Sequence, residues 1–255
     1  MSAVIPQPSW APPAPAVLDL SVVVPVYNER RRLCATLREI CGHLRATTPG
    51  WEVIVVDDGS ADGSGELAER IAAACPAVRV LRTPVNRGKG HAVRRGVLAS
   101  RGRLVLFCDA DLATPIAELD RLRERVAAGF DVAVGSRADE SSRIEVRQPA
   151  LREVLGRWGN RVIRAAAVPG IRDTQCGFKL FDGDKARRVF RHAHIDGWGF
   201  DVEVLYLYAR HGWSVAEVPV RWAHRPGSKL RPHHYLRTLA DLIRLRLRHR
   251  KACRL

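Results

Sequence analysis

At 255 residues and 46% hydrophobic content, the chain has enough apolar material for one large α/β domain, and no stretch approaches the roughly 18 to 20 consecutive apolar residues of a membrane-spanning helix. The formal net charge is +15, and residues 225 to 255 hold ten Lys and Arg against the single acid Asp241, so positive charge is concentrated at one end. Such a patch suits an anionic membrane surface or phosphorylated ligands; the absence of interleaved aromatics and of any RNP-like or zinc-finger pattern argues against nucleic acid.

Residues 1 to 18 carry Pro6, Pro8, Pro12, Pro13 and Pro15 without a basic region before an apolar core, and read as a disordered, Pro-rich leader rather than a secretory signal. SVVVPV (21 to 26) and VIVV (53 to 56) are short β-branched runs of the kind buried on both faces of a sheet, and each ends in polar residues, YNE and DDGS. Between them Leu33, Leu37, Ile40 and Leu44 recur at helical spacing over residues 30 to 46, and Gly63 to Ala74 and Lys89 to Ala99 also read as helices. LVLFCDAD (104 to 111) is a third such strand and DVAVGSR (131 to 137) a fourth. Alternation of this kind predicts an α/β fold, a Rossmann-like, mostly parallel sheet with helices on both faces, in which ligands bind beyond the carboxyl ends of the strands.

The second half predicts a basic helix over 150 to 167, a short strand entered through GIRDTQCGFKLF (170 to 181), a helix in WGFDVEVLYLYARHG (198 to 212) and a last strand in SVAEVPVRW (214 to 222). No linker divides the halves, so residues 19 to 231 form a single domain, followed by a basic C-terminal amphipathic helix over 232 to 255. In YLRTLADLIRLRLRHRK, helical spacing sets Leu236, Leu239, Ile243 and Leu247 on one stripe beside Arg246 and Arg250, as in an interfacial membrane anchor; the alternation IRLRLRHR also fits an edge strand. The six cysteines show neither CxxC spacing nor a His/Cys cluster, which argues against zinc and a disulfide framework and suits a reducing cytoplasm.

Asp109 and Asp111, flanking one residue at a strand end, can share a hard cation such as Mg²⁺ or Mn²⁺ that bridges two phosphates. A lone DxD is more often a solvated turn; here the other strand ends are acidic too. Asp57 and Asp58 can accept hydrogen bonds from a nucleobase or ribose, and without a GxGxxG fingerprint this is not the usual dinucleotide site. Ser60 and Asp62 serve equally well as caps of the next helix. NRGKGHAVRRG (86 to 96) brings backbone N–H groups, Arg87 and Lys89 to a helix start, which suits phosphate.

PVYNE, VVDDGSADGS, NRGKGHAVRRGVLASRG and CDADLATP, in that order, resemble the GT-A fold, family 2 inverting glycosyltransferases. VGSRA, GIRDTQCGFKLF, WGFDVEVLYLYA, AEVPVRW and GSKL narrow the resemblance to the dolichyl-phosphate (polyprenyl-phosphate) β-glucosyltransferases, relatives of the dolichyl-phosphate mannose synthases, over about residues 20 to 240. The resemblance implies transfer of glucose from UDP-glucose to a polyprenyl phosphate. It assigns Pro25, Tyr27, Glu29, Asp57 and Lys89 to the nucleotide-sugar donor, Asp109 and Asp111 to the diphosphate and metal, and Arg137, Arg152 and Gln175 to the acceptor side. Arg225, Ser228 and Lys229 would form a loop closing over the diphosphate and meeting the acceptor. Mannose synthases often add a Gln where this chain has Ala113. A phosphate acceptor is already anionic near neutral pH, so Arg137 outweighs a general base; Asp201 is the first candidate for one and Glu203 the second. A lipid acceptor implies a peripheral enzyme at the cytoplasmic face of a membrane, with peripheral binding or a membrane-protein partner replacing the hydrophobic spans of many relatives. A GDP-mannose donor, a soluble acceptor and, from another class, a basic nucleic-acid-binding module remain the alternatives. Within GIRDTQCGFKLF, Cys176 lacks a partner His and reads as a small buried residue rather than a nucleophile, while Asp173 and Gln175 order the loop or touch the sugar.

Overall fold

The computed structural model describes residues 18–139, 141–146, 168, 170–225, 241 and 245. Four strands, β1 (Leu20–Val26), β2 (Trp51–Asp58), β3 (Val78–Thr83) and β4 (Leu104–Cys108), alternate with helices α1 (Arg30–Thr47), α2 (Ser64–Ala74) and α3 (Lys89–Ala99). After a 3₁₀ turn at Ile116–Glu118 come α4 (Leu119–Ala127), β5 (Val132–Ser136), β6 (Arg143–Val146), β7 (Phe178–Asp182), α5 (Gly183–His192), α6 (Phe200–Arg210), β8 (Val215–Pro219) and β9 (Arg221–Ala223). Among the described residues seven strands make one sheet in the order β3-β2-β1-β4-β7-β5-β8, and β6 pairs with β9 in a separate ribbon. The sheet is parallel except for β7, which runs antiparallel to both β4 and β5.

The expected alternation of strands and helices is what forms, with helices on both faces. Along β1, Val22, Val24 and Val26 pack toward Leu33, Leu37, Ile40 and Leu44 of α1, while Val23 turns to the opposite cluster with Val93 and Val97 of α3. A strand with apolar residues at both parities can be buried on both sides, which is why these runs lack polar alternation. The α3 side is completed by Val189 and Phe190 of α5 and by Val204, Leu205 and Tyr208 of α6; the α1 side is completed by Leu119 and Leu122 of α4.

Several elements differ from the sequence reading. VRVLRT forms an edge strand, β3, which Arg79 and Arg82 disguise by interrupting its apolar run; α4 and α5 form where no helix was expected; and the last strand breaks at Val220 into β8 and β9. The break lets β9 leave the main sheet to pair with β6, and Ala223 N–H donates to Ala113 O at 2.8 Å, beside the DxD segment. The leader up to residue 17, the basic helix expected over 150 to 167, and the stripe Leu236, Leu239, Ile243 and Leu247 lie outside the described residues. Of the terminal segment, Asp241 and Leu245 are described as helical, and Leu245 is buried in the α3-side core. No helix among the described residues is long and apolar enough to cross a membrane.

Candidate active site

The carboxyl ends of β1, β2 and β4 open onto a cleft of about 270 Å³, lined in part by Pro25, Tyr27, Glu29, Arg32, Asp58, Lys89, Asp109, Asp111 and Trp198. Its floor is set by two turns stitched together. Asn28 takes a left-handed conformation (φ 54°), donates its N–H to Ser60 Oγ and accepts Ala61 N–H on its Oδ1, each at 2.8 Å. Glu29 N–H reaches Ser64 Oγ at 2.8 Å, and Asp62 accepts from Arg30 N–H and Ser64 N–H. Ser60 and Asp62 are thereby occupied by the turns.

The acid pair ending β2 divides its work. Asp57, assigned by resemblance to the nucleotide, is buried: Oδ1 accepts Ser60 N–H at 3.1 Å, and Oδ2, which has no hydrogen-bond partner, lies 3.4 Å from Arg82 Nε. Asp58 lines the cleft and receives Arg87 N–H at 3.1 Å and Gly88 N–H at 2.7 Å. Those bonds fix the entry to α3, where Gly88 adopts φ 115°, and so aim Lys89 into the cleft.

Asp109 and Asp111 follow β4 directly. Asp109 N–H donates to Gly177 O at 3.0 Å, and Asp111 Oδ1 accepts Ala113 N–H at 3.0 Å. Lys89 Nζ stands 2.7 Å from Asp109 Oδ1 and about equally far, 5.2 and 5.0 Å, from the ring centres of Phe107 and Trp198. Burial opposes its charge, but Asp109, followed by Asp201 and Asp111, outweighs that and raises its pKa above the ordinary lysine value. Burial and the neighbouring charge of Asp109 push the Asp111 carboxyl up, as expected of two acids sharing one site without enough positive charge between them.

A divalent cation fits this donor set. An ammonium already rests on Asp109, and Gly177 leaves room for the carboxylate, since a Cβ there would sit 1.9 Å from Asp109 Oδ2. Among the described residues no group of three or more His, Cys, Asp or Glu is placed to hold a metal, so these residues offer two carboxylates, and substrate oxygens and water suit the remaining positions.

On the other side of β7, Arg137 follows β5 and is locked to Asp173: Nε to Oδ2 at 2.7 Å, a terminal nitrogen to Oδ1 at 2.8 Å, and its own N–H to Oδ2 at 2.9 Å. The guanidinium also lies 5.6 Å from the Trp222 ring. Burial opposes both charges, and the pairing overcomes it, raising the pKa of Arg137 and lowering that of Asp173. Glu217 holds the Asp173 turn from below, accepting Arg172 and Asp173 N–H at 2.8 and 2.9 Å. Gln175 N–H donates to Asp173 Oδ1 at 3.3 Å, so the Asp173 carboxylate orders this loop and Gln175 joins it through its backbone. Arg225 is exposed two residues beyond β9; Arg152, Ser228 and Lys229 lie outside the described residues.

Asp201 and Glu203 are not open bases. Asp201 is buried against Lys179, which also donates to Cys176 O at 2.6 Å, and Glu203 accepts His194 and Ile195 N–H at 2.8 and 2.7 Å. Cys176 is buried as expected, with its thiol pushed up to about 11 by burial and by Asp173. Sequence reasoning named Asp58 beside Asp57 but missed Lys179 and Trp198 as site residues. The two glycines around Trp198 in GWGFD were the available signal for the last, and a lysine inside an otherwise apolar strand, FKLF, for the first.

A family model described as Glycosyl transferase family 2 matches residues 21–190. The chain is 37% identical over 242 residues to a dolichyl-phosphate beta-glucosyltransferase of Trichomonas vaginalis, covering 91% of this chain and 72% of that protein. It is 40% identical to the enzyme so named in Drosophila melanogaster and 38% to that of Homo sapiens, each comparison covering 91% of this chain and 76% of the relative. Among solved structures it resembles mannosyl-3-phosphoglycerate synthase from Rubrobacter xylanophilus (TM-score 0.65, 19% identity, 93% of this chain and 77% of that one). It also resembles glucosyl-3-phosphoglycerate synthase from Mycobacterium tuberculosis in complex with Mn²⁺, UDP and glucosyl-3-phosphoglycerate (TM-score 0.64, 21% identity, 95% and 86%). At these identities the structural likeness is one of fold.

Proposed function

The chain belongs to glycosyl transferase family 2, with the dolichyl-phosphate β-glucosyltransferases as its relatives, and we propose that it transfers glucose from UDP-glucose to a polyprenyl phosphate such as dolichyl phosphate. The observation that carries the reading is the placement, around the end of one strand, of a two-carboxylate cation site with Lys89 on one side and an Asp173-locked arginine on the other. The first side suits a sugar nucleotide diphosphate; the second suits a phosphate monoester.

Pro25, Tyr27, Glu29 and Asp58 would line the nucleotide, with Asp57 shaping the same floor from beneath. Asp109 and Asp111 would hold Mg²⁺ or Mn²⁺ together with the diphosphate, and the bound metal supplies Lewis-acid stabilisation of the charge on the departing UDP. Lys89 adds a positive charge on the leaving-group side. Arg137, with Arg152 in the same role, would present the acceptor phosphate, whose oxygen attacks the anomeric carbon opposite the UDP and inverts the configuration there. The product is a β-linked lipid phosphosugar. An anionic acceptor needs no proton removed, so the occupied state of Asp201 and Glu203 is no obstacle to the reaction.

Arg225, Ser228 and Lys229 belong to the segment leaving β9; because β9 is tied to Ala113, that segment begins beside the cation site. Gln175 belongs with the acceptor loop. The lipid acceptor and the basic terminal segment together support peripheral attachment to an anionic membrane surface, at the cytoplasmic face, alone or with a membrane-protein partner. Incubation with labelled UDP-glucose, Mg²⁺ and polyprenyl phosphate should give a lipid-soluble labelled product that disappears in Asp111→Ala. No product with UDP-glucose, but product with GDP-mannose, would refute the donor assignment.

A further inference from the structure

Lys89 stands on the very carboxylate that the proposed chemistry requires for a metal. Its ammonium is 2.7 Å from Asp109 Oδ1 and 5.2 and 5.0 Å from the ring centres of Phe107 and Trp198, and its side chain is 15% exposed. Of the two further carboxylates acting on Lys89, Asp201 is already committed to Lys179, and Asp111 belongs to the same cation site. The cation site has only two protein carboxylates among the described residues, one of them neutralised in this way. A hard divalent ion at such a site alone would have to displace an ammonium and still find most of its ligands in water.

A diphosphate changes both terms. It supplies oxygens to the metal, and it offers the lysine an alternative anion within the same cleft. We propose that Lys89 is a displaceable cation that blocks Asp109 in the nucleotide-free protein, so that the divalent metal enters together with the nucleotide while the ammonium moves from Asp109 to the diphosphate. Lys89 is then a positioning residue for the metal before it is a contact for the donor. The proposal rests on the reading of Asp109 and Asp111 as a metal–diphosphate site.

Reciprocal coupling follows: whatever factor UDP adds to metal affinity, the metal adds to UDP affinity. The test is Mn²⁺ binding by calorimetry, and by the electron paramagnetic resonance signal of free Mn²⁺, for the wild-type chain, Lys89→Met, Lys89→Gln and Lys89→Arg, each with and without UDP. In the neutral variants, nucleotide-free Mn²⁺ affinity should rise about tenfold, the scale of one charge contact removed from a partly buried site, and most of the coupling to UDP should vanish. Lys89→Arg should keep the weak nucleotide-free affinity. If UDP tightens Mn²⁺ in the wild type but neither neutral variant binds Mn²⁺ alone more tightly than wild type, the proposal is overturned and the metal–diphosphate reading stands. If the wild type binds no Mn²⁺ even with UDP, that reading falls and the proposal with it. A neutral variant that does not fold leaves the other and the wild-type comparison of UDP with inorganic pyrophosphate: equal tightening by the two is expected, and none by pyrophosphate overturns the proposal.

Discussion

Replacing Gly177 by alanine should separate the two strands exactly where the candidate chemistry takes place, or push the first aspartate of the cation site aside. The added Cβ would lie 1.9 Å from Asp109 Oδ2 and 2.4 Å from its Cγ, 1.1 Å inside the 3.0 Å that real Cβ contacts essentially never breach at the nearer atom. The strand pair cannot open freely, because Asp109 N–H is bonded to Gly177 O and Cys108 is in register with Phe178. The carboxylate is therefore the part that yields, by about 1 Å, a displacement that costs on the order of 100-fold when it misplaces a catalytic group. In transition-state terms that is about 2.7 kcal/mol. Overpacking adds about 1–3 kcal/mol of destabilisation, a shift of several degrees in melting temperature for a chain of this size. The assay is glucose transfer from labelled UDP-glucose alongside thermal melts of the same preparations. A folded Gly177→Ala protein with activity within about threefold of wild type would refute the reasoning, since it would mean that the position of Asp109 is not constrained by this contact.

Arg137→Lys should raise the KM for the lipid phosphate at least about tenfold while leaving UDP affinity within about twofold, because lysine cannot reproduce the two-point contact with Asp173 that aims the cation; equal losses for both substrates would contradict the acceptor role. Arg137→Ala, which leaves Asp173 buried without its partner, should lower stability by about 3 kcal/mol in chemical denaturation. The Asp173 carboxyl is held below its usual range by Arg137 against the effect of burial, so it contributes stability above the unfolded carboxyl value of about 4 and loses it as pH falls through the lower folded value. Melts of Asp173→Asn against pH should accordingly show a smaller drop between about pH 5 and pH 2 than wild type. Gly42→Ala, in the middle of α1 with nothing within 4 Å of the new methyl, should stabilise the fold by about 0.5–1 kcal/mol and leave transfer unchanged.

Local sequence determined the nucleotide half of this protein. Runs such as SVVVPV and VIVV can be buried only on both faces, their polar ends must then emerge at one rim, and short βα connections keep Asp58, Lys89, Asp109 and Asp111 within reach of one another. The glycines and acids of VVDDGSADGS and NRGKG were legible for the same reason: they act on residues close to them in sequence. VRVLRT was missed as a strand because an edge position tolerates charged residues such as Arg79 and Arg82, which break up the apolar run, and α5 because its apolar positions are few among charges.

What only the tertiary structure decided is how the second half closes on the first. β7 runs antiparallel between β4 and β5, and that single reversal puts Gly177 against Asp109 and Lys179 beneath Asp201. Arg137 and Asp173 lie 36 residues apart, and Lys179 and Asp201 lie 22 apart. Pattern in a chain reports the period of its own element; it does not report which distant charge neutralises a buried one, because that is set by strand order. The mixture of charges, amide and thiol in GIRDTQCGFKLF is accounted for by that order: Asp173 orients an arginine, Gly177 makes room for a carboxylate, and Lys179 occupies the acid that would otherwise have looked like a base.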